Sequence, residues 1–433
     1  MMNRRRTIAW VLFATILTVP AATSRGQFEG VLGAGSRPVE KVHEKIYLAS
    51  GFGNTFLVLT DDGNVIIDTS LPDMAKRHRQ ILSEVSKAPT RYLIFTHAHE
   101  DHTSGAALWK EADTQVVAQR QFVEMRQYQD RFAEFFARRN AAQFGFDEQR
   151  AREAMRNRPV RVEPTILFDE EYEFDLGGTK FQLFHTPGET YDHLTVWLPQ
   201  YKAAFVGDNF YASFPNIYTL RGTRPRWALD YVDSLNKVLA LKPEILLPSH
   251  GTPIVGAEKV AAALTRYRDA IQYVHDATVK GMNNGKDVHT LMREINLPAD
   301  LDVGDAYGKV SWSVRGIYEG YVGWFDGDAA SMYAEAPQEA DVELVRMAGG
   351  AESVAKRARE LVEQGKHVQA LRLAGTALAA EPGNSSAAQA RAAALKALLA
   401  KCRNSNERGW LANGLRRVEK SAAPPAGATS GGR

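Results

Sequence analysis

Short apolar runs recur through the first half of the chain, each closed by a turn or by polar residues. Ile46-Tyr47-Leu48, Asn54 to Leu59 and Val65 to Thr69 read as strands, the last two joined by a hairpin turn at Asp61-Asp62-Gly63-Asn64. From Met74 to Ser86 the period changes, with Ile81, Leu82 and Val85 at helical spacing, and Tyr92-Leu93-Ile94-Phe95 returns to strand. Strand, helix, strand is the signature of an α/β fold. A second block spans Thr165 to Asp208: Thr165 to Phe168, Tyr172-Glu173-Phe174, Lys180 to Phe184, Leu194 to Leu198 and Ala203 to Val206, with Gly177-Gly178 marking a turn. A helix over Trp227 to Leu241 and a strand over Glu244 to Pro248 complete it. Two sheet-forming halves, each accompanied by helices, predict an αββα sandwich. Between them residues 119–158 are charged and helical in period, with Phe132, Phe135 and Phe136 on an apolar edge. That stretch fits a helical cap over a site mouth and equally a solvated helix pair.

Beyond the sandwich the pattern is helical. Glu352 to Gly365 and His367 to Ala380 are amphipathic and lead into the turn Glu381-Pro382-Gly383-Asn384, as in one tetratricopeptide-type hairpin; no repeat array surrounds it, so its apolar face needs another partner. Ser421 to Arg433 is a Pro/Ala/Gly/Ser tail that need not fold. The predicted units are therefore 27–265, 266–420 and a disordered tail at 421–433, in keeping with a 433-residue chain too long for one core. Residues 1–26 stand apart. Arg4, Arg5 and Arg6 precede the apolar run Ile8 to Val19, and Ala21, Ala22 and Ser24 follow, which predicts a signal peptide and a periplasmic or secreted protein with no stable membrane span after cleavage. Cys402 is the sole cysteine, so no intrachain disulfide and no thiolate metal site is expected. A net charge of +2 argues against nucleic acid as a general partner.

The chemistry begins where the strand ending at Phe95 runs into Thr96-His97-Ala98-His99-Glu100-Asp101-His102. Three imidazoles and a carboxylate this close are too crowded to bury without a common partner, and they are the ligand types of zinc-like metals. His185-Thr186-Pro187-Gly188-Glu189, Gly207-Asp208 and Ser249-His250-Gly251 each lie just past a strand, which lets residues distant in sequence converge at one sheet edge. Asp68, past Val65 to Ile67, either orients a metal-bound His or caps the next segment.

This pattern resembles the metallo-β-lactamase superfamily, whose site normally holds two metals, commonly zinc. The resemblance implies that His97 and His99 serve one metal and Asp101 and His102 the other, with Glu189 replacing a more usual His, Asp208 bridging, and His250 as a terminal ligand. His193 is the rival to Glu189. A water bound there would have its pKa lowered toward neutrality, so hydrolysis is the implied reaction, with Asp101 and Asp208 as catalytic carboxylates.

A narrower resemblance follows. Asn216-Ile217-Tyr218-Thr219-Leu220-Arg221-Gly222 is similar to a sequence of bacterial alkylsulfatases, which also use Glu at the position of Glu189. Phe136-Ala137-Arg138-Arg139 and Gln143-Phe144-Gly145 resemble their insertion, and Tyr307-Gly308-Lys309-Val310 and Gly323-Trp324-Phe325-Asp326-Gly327 resemble the start of their helical dimerisation domain. The likeness implies two zinc ions, hydrolysis of a small anionic ester (an alkyl sulfate) to alcohol and sulfate, and a homodimer formed through 266–420. A planar guanidinium suits two oxygens of a sulfate. Arg221 is the expected grip, Asn216 and Tyr218 its polar companions, and Arg224 and Arg226 solvated spares. The sequence departs from characterised long-chain members in stopping before a sterol-carrier-like third domain, in Asp208 where they have Glu, and in Trp312 where some have His. Those departures keep open the alternative of a hydrolase for another ester, a lactone, a thioester or a lactam.

Overall fold

A computed structural model of the chain describes residues 38–145, 147–156 and 160–422. Segment 1–26, expected from its sequence to be a signal peptide, and all but the first two residues of the tail lie outside them.

The first sheet is seven-stranded, in sequence order: β1 (Glu40–His43), β2 (Ile46–Ala49), β3 (Thr55–Thr60), β4 (Gly63–Ile67), β5 (Thr90–Ile94), β6 (Gln115–Gln119) and β7 (Ile166–Phe168). The second is six-stranded, in the order β13-β12-β11-β10-β9-β8: β8 (Glu171–Leu176), β9 (Thr179–His185), β10 (Leu194–Leu198), β11 (Ala203–Gly207), β12 (Ile245–Pro248) and β13 (Ile254–Val255). Apolar side chains of both sheets interdigitate between them, among them Ile46, Phe56, Val65, Ile94, Phe181, Val196, Phe205 and Leu247. Strands β4, β10, β11 and β12 are buried at every position because helices cover the other face. This is the predicted αββα sandwich.

The helices are α1 (Pro72–Ser83), α2 (Glu100–Thr103), α3 (Phe122–Arg131), α4 (Ala133–Phe144), α5 (Glu148–Arg156), α6 (Ala228–Ala240), α7 (Ala257–Asn283), α8 (Val288–Glu294), α9 (Val310–Val322), α10 (Pro337–Met347), α11 (Ala351–Glu363), α12 (His367–Ala380), α13 (Ser385–Lys401) and α14 (Ser405–Ala422). None of these helices is long and apolar enough to cross a membrane.

Three features differ from the sequence reading. The helical insertion starts later than residue 119, because Gln115-Val116-Val117-Ala118-Gln119 forms β6, pairing parallel to both β5 and β7. The segment is too short for a clear periodicity and is identified only by its neighbours. A division at 265/266 falls inside α7, which runs unbroken from 257 to 283. Moreover, Val260, Leu264, Ile271 and Val274 of α7, Leu291 of α8 and Val314 and Ile317 of α9 share one core with Val206, Tyr231 and Leu246 of the sandwich. A separate set of small cores holds α11–α13 together, largely through Ala355, Ala358, Ala370, Ala374, Ala377, Ala387, Ala390 and Ala394, whose small side chains let the helices approach closely, and α10 joins them through Val345.

Candidate metal centre

Topology delivers the site residues to one edge. β4 and β5 are parallel, as are β11 and β12, and β9 runs parallel to β11 because each is antiparallel to β10. The carboxyl ends of β4, β5, β9, β11 and β12 lead respectively to Asp68, the 97–102 segment, Glu189, Asp208 and His250. At Gly207 the backbone is left-handed (φ 52°), and a Cβ there would overlap His193 Nε2, so only glycine lets the chain turn Asp208 inward at this point.

All seven sequence-predicted ligands come together. His97, His99, Glu189 and Asp208 form one group, and Asp101, His102 and His250 form another, the ligand atoms within each lying within 4.8 Å of one another. Asp208 faces both: Oδ2 is 3.8 Å from His97 Nε2 and 3.2 Å from His250 Nε2, while Oδ1 is 3.5 Å from His102 Nε2. Asp101 Oδ2 closes the second group at 3.4 Å from both His102 Nε2 and His250 Nε2.

The imidazoles are oriented from behind. Asp68 accepts from His102 Nδ1 (2.9 Å), Thr96 N (2.9 Å), Thr96 Oγ1 (2.8 Å) and Ser249 Oγ (2.7 Å), so it is the orienting carboxylate rather than a helix cap. With its hydroxyl proton given to Asp68, Thr96 Oγ1 accepts from His97 Nδ1 at 3.0 Å, and His250 Nδ1 donates to the Phe52 carbonyl. With Nδ1 engaged outward, these three rings present Nε2 inward, the atom on which a cation could replace a proton. His97 Nε2 and His99 Nδ1 converge to 2.9 Å, with Glu189 Oε2 3.1 Å from the latter. His102 Nε2, Glu189 Oε2 and Asp208 Oδ1 are buried without a hydrogen-bond partner. Converging ring nitrogens and carboxylates, most of them buried, fit divalent cations of the zinc type.

Metal-free electrostatics tell the same story. Burial opposes ionisation of Asp101 and Asp208, yet His102 and His250 hold both carboxyls well below their usual range. Burial likewise opposes charge on the imidazoles, but the carboxylates raise His102 well above its ordinary value and His250 to about 10. His97, buried and facing the other imidazoles, is pushed well down. Two protonated rings stand where cationic charge belongs.

Glu189, not His193, enters the cluster. His193 Nε2 instead accepts from the Asp208 backbone N–H at 3.0 Å, and burial lowers its pKa to about 4, so it stays a neutral acceptor that fixes the Asp208 turn. Glu189 Oε1 pairs with Arg226 Nη1 at 2.5 Å, both side chains almost fully buried. Burial raises the Glu189 pKa, but Arg226 and His99 outweigh it and hold the carboxyl down. Arg226 is therefore no solvated spare; Arg224 lies nearer the surface, paired with Glu124 at 3.0 Å.

A cavity of about 260 Å³ opens onto the centre. His99, Asp101, Glu189, Asp208, Arg221 and His250 line its polar end; Phe52, Leu71, Met125, Tyr128, Phe136 and Phe144 form its apolar wall, four of them from α3 and α4, so the insertion caps the site. Arg221 Nη2 sits 3.5 Å from His99 Nε2. Asn216 and Tyr218 are not in this wall. Tyr218 packs over Gly316 of α9, and Asn216 is buried, its backbone carbonyl accepting from Arg226 Nη1 at 2.6 Å. Sequence reasoning missed Tyr307 as a site residue. It lines the cavity, burial raises its pKa, and its carbonyl accepts from Asn404 (2.9 Å) and Asn406 (3.0 Å).

A carboxylate-rich, two-group metal centre at the strand ends of an αββα sandwich defines a metallohydrolase-type protein. Residues 49–250 match the metallo-β-lactamase superfamily, and residues 288–421 match a family described as alkyl sulfatase dimerisation. The chain thus carries a metallo-β-lactamase-type region followed by an alkyl-sulfatase-dimerisation-type region. It is similar to a linear primary-alkylsulfatase of a Pseudomonas species, with 28% identity over 82% of this chain and 72% of that one. It is equally similar to an (R)-specific secondary-alkylsulfatase of Pseudomonas sp., with 28% identity over 83% of this chain and 59% of that one. The chain thus spans between about three fifths and three quarters of the length of these two relatives. Its fold superposes on a stereoselective inverting sec-alkylsulfatase of Pseudomonas sp. with a TM-score of 0.81 and 24% identity, covering 90% of this chain and 66% of that one.

Proposed function

We propose that the chain is a binuclear metal-dependent hydrolase that cleaves alkyl sulfate esters to alcohol and sulfate. The observation that carries this reading is one cavity with a guanidinium and a metal-ligand cluster at one end and an apolar wall at the other. That is the shape of an anionic head joined to a hydrocarbon chain. The names of the relatives supply the substrate class.

His97, His99 and Glu189 would hold one cation, Asp101, His102 and His250 the second, with Asp208 shared; histidine and carboxylate without thiolate admit zinc, manganese or iron, and zinc is the choice the superfamily resemblance supports. Cations there would supply Lewis acidity and a water of lowered pKa. The chain's own groups supply the rest. Arg221 opposes the sulfate oxygens through parallel N–H donors, one of which, Nε, is buried with no acceptor in the protein. Tyr307, kept protonated by burial, donates to an ester or sulfate oxygen. Asp101 Oδ2 accepts a hydrogen bond from the attacking water and orients it. The apolar wall takes the alkyl chain and excludes bulk water.

The helical region pairs two copies in this reading. Trp324 (75% exposed), Tyr333 (71%) and Met347 (84%) are exposed apolar side chains between the end of α9 and the end of α10 that a second subunit would cover. The basic and apolar amino-terminal stretch, Arg4 to Val19, supports export to the periplasm or beyond.

Metal analysis coupled to sulfate release from decyl and dodecyl sulfate tests the assignment. Bound metal with sulfate release, reduced on the order of a hundredfold by Arg221→Ala, is the expected result. Metal-loaded protein that opens a lactone or lactam while releasing no sulfate would overturn it.

A further inference from the structure

The segment carrying Arg221 has no regular structure of its own and is held from outside. Arg139 of α4 donates Nε–H to the Arg221 carbonyl and Nη2–H to the Leu220 carbonyl, both at 2.5 Å. One turn on, Gln143 bonds Thr219 Oγ1, with distances of 3.2 Å from Nε2 and 3.4 Å to Oε1. A guanidinium fork on two successive carbonyls is a charge-assisted clamp and fixes a backbone direction.

Arg139 is itself held from the far end of the chain. Its guanidinium lies over the Trp410 ring of α14 at 5.0 Å and over Phe135 at 5.3 Å. α14 seats against α4 at Gly409, where a Cβ would overlap the Gln143 carbonyl oxygen. Trp410 Nε1–H donates to Gln143 Oε1 at 3.3 Å. An unbroken set of contacts therefore runs from the last helix through α4 to Arg221, whose guanidinium lines the cavity beside the metal groups.

We propose that Arg139 is a positioning residue for the anion grip: it pins the Leu220 and Arg221 carbonyls so that the Arg221 side chain points at the metal centre, and Trp410 holds Arg139 in register. The proposal rests on the reading of Arg221 as the sulfate-binding group. Without the clamp, ordering this segment and its long side chain would cost conformational entropy at each binding event; with it, that cost falls on folding. The carboxy-terminal helix then takes part in substrate binding within its own chain.

The test uses full-length, metal-loaded wild type, Arg139→Gln, Arg139→Lys, Trp410→Leu and Arg221→Ala. Each is titrated calorimetrically with inorganic sulfate, assayed on dodecyl sulfate, and checked for metal content and Tm. For Arg139→Gln the expected result is sulfate affinity lower and KM higher on the order of tenfold, with unchanged metal content and a smaller change in kcat. Arg139→Lys and Trp410→Leu should fall between it and wild type, and they carry the test if Arg139→Gln does not fold. A merely structural Arg139 would lower Tm and metal content while the folded fraction kept wild-type sulfate affinity and KM, and that outcome overturns the proposal. If Arg221→Ala loses sulfate binding while Arg139→Gln and Arg139→Lys bind as wild type does, the clamp alone is refuted. If Arg221→Ala also binds as wild type does, the Arg221 reading falls and takes the clamp with it.

Discussion

Asp68→Asn isolates the orientation of one metal ligand. Asp68 is fully buried at φ 55°, a left-handed conformation that Asn tolerates as well as Asp, so the backbone should survive the change. Asn can keep its oxygen toward the Thr96 N–H, which bonds Asp68 Oδ1 at 2.9 Å. Its NH2 then replaces Oδ2, the atom that accepts from His102 Nδ1, Thr96 Oγ1 and Ser249 Oγ. The two hydroxyls can rotate and accept instead. His102 cannot do so without moving its proton from Nδ1 to Nε2, the atom 3.4 Å from Asp101 and 3.5 Å from Asp208. A protonated Nε2 has no lone pair to offer a cation. Loss of such a supporting partner costs about tenfold to a hundredfold in metal affinity, or about 1.4–2.7 kcal/mol. Chelator competition with metal counting should therefore show one of two equivalents weakened by that factor and the other nearly unchanged. If Asp68→Asn binds both equivalents within about twofold of wild type, the tautomer argument is wrong.

Two further outcomes follow from buried charge. Arg226→Met leaves Glu189 buried without its counter-cation, which in the metal-free protein should cost about 3–5 kcal/mol, and less once a cation sits at Oε2. Calorimetric melting should show a larger fall in Tm for the apo than for the metal-loaded variant, and equal falls would refute the pairing argument. His78 is buried, its Nδ1 2.9 Å from Thr55 Oγ1 and its Nε2 3.2 Å from the Ser50 carbonyl, and burial lowers its pKa to about 4. The folded chain then keeps this ring neutral while the unfolded chain protonates it near 6.5, so its stabilising contribution is complete above 6.5 and is lost as pH falls toward 4. The loss is about 3 kcal/mol in all. Urea denaturation across that window should be less pH-dependent in His78→Gln than in wild type, and parallel curves would count against it.

Much of the centre could be read locally. His97, His99, Asp101 and His102 lie within six positions after one strand, and Glu189, Asp208 and His250 each follow a strand, so period and punctuation alone place them at a sheet edge. A side chain that leaves a strand end has few places to go. The partners behind them carry no such mark. Arg226 looked like a surface cation because nothing in Thr223-Arg224-Pro225-Arg226 tells which of two arginines turns inward; only the pairing with Glu189 does. Tyr307 and Arg139 were visible as parts of motifs but not as site residues, since the groups that hold them, Asn404 and Trp410, lie roughly 97 and 271 positions away along the chain. Glu189 was the ligand expected from the sequence with His193, four residues on, its rival, and Gly207 removes the rival by bringing His193 against a backbone N–H.

By itself, then, the sequence determined the sandwich, the ligand types and the edge at which they meet, because strand alternation and turn chemistry act over a few residues. The tertiary structure decided which ligand wins, what charge compensates Glu189, where the first unit ends and how the last helix reaches Arg221. Those outcomes depend on desolvation and hydrogen bonding between segments far apart along the chain, and such contacts leave no periodic trace in either segment alone.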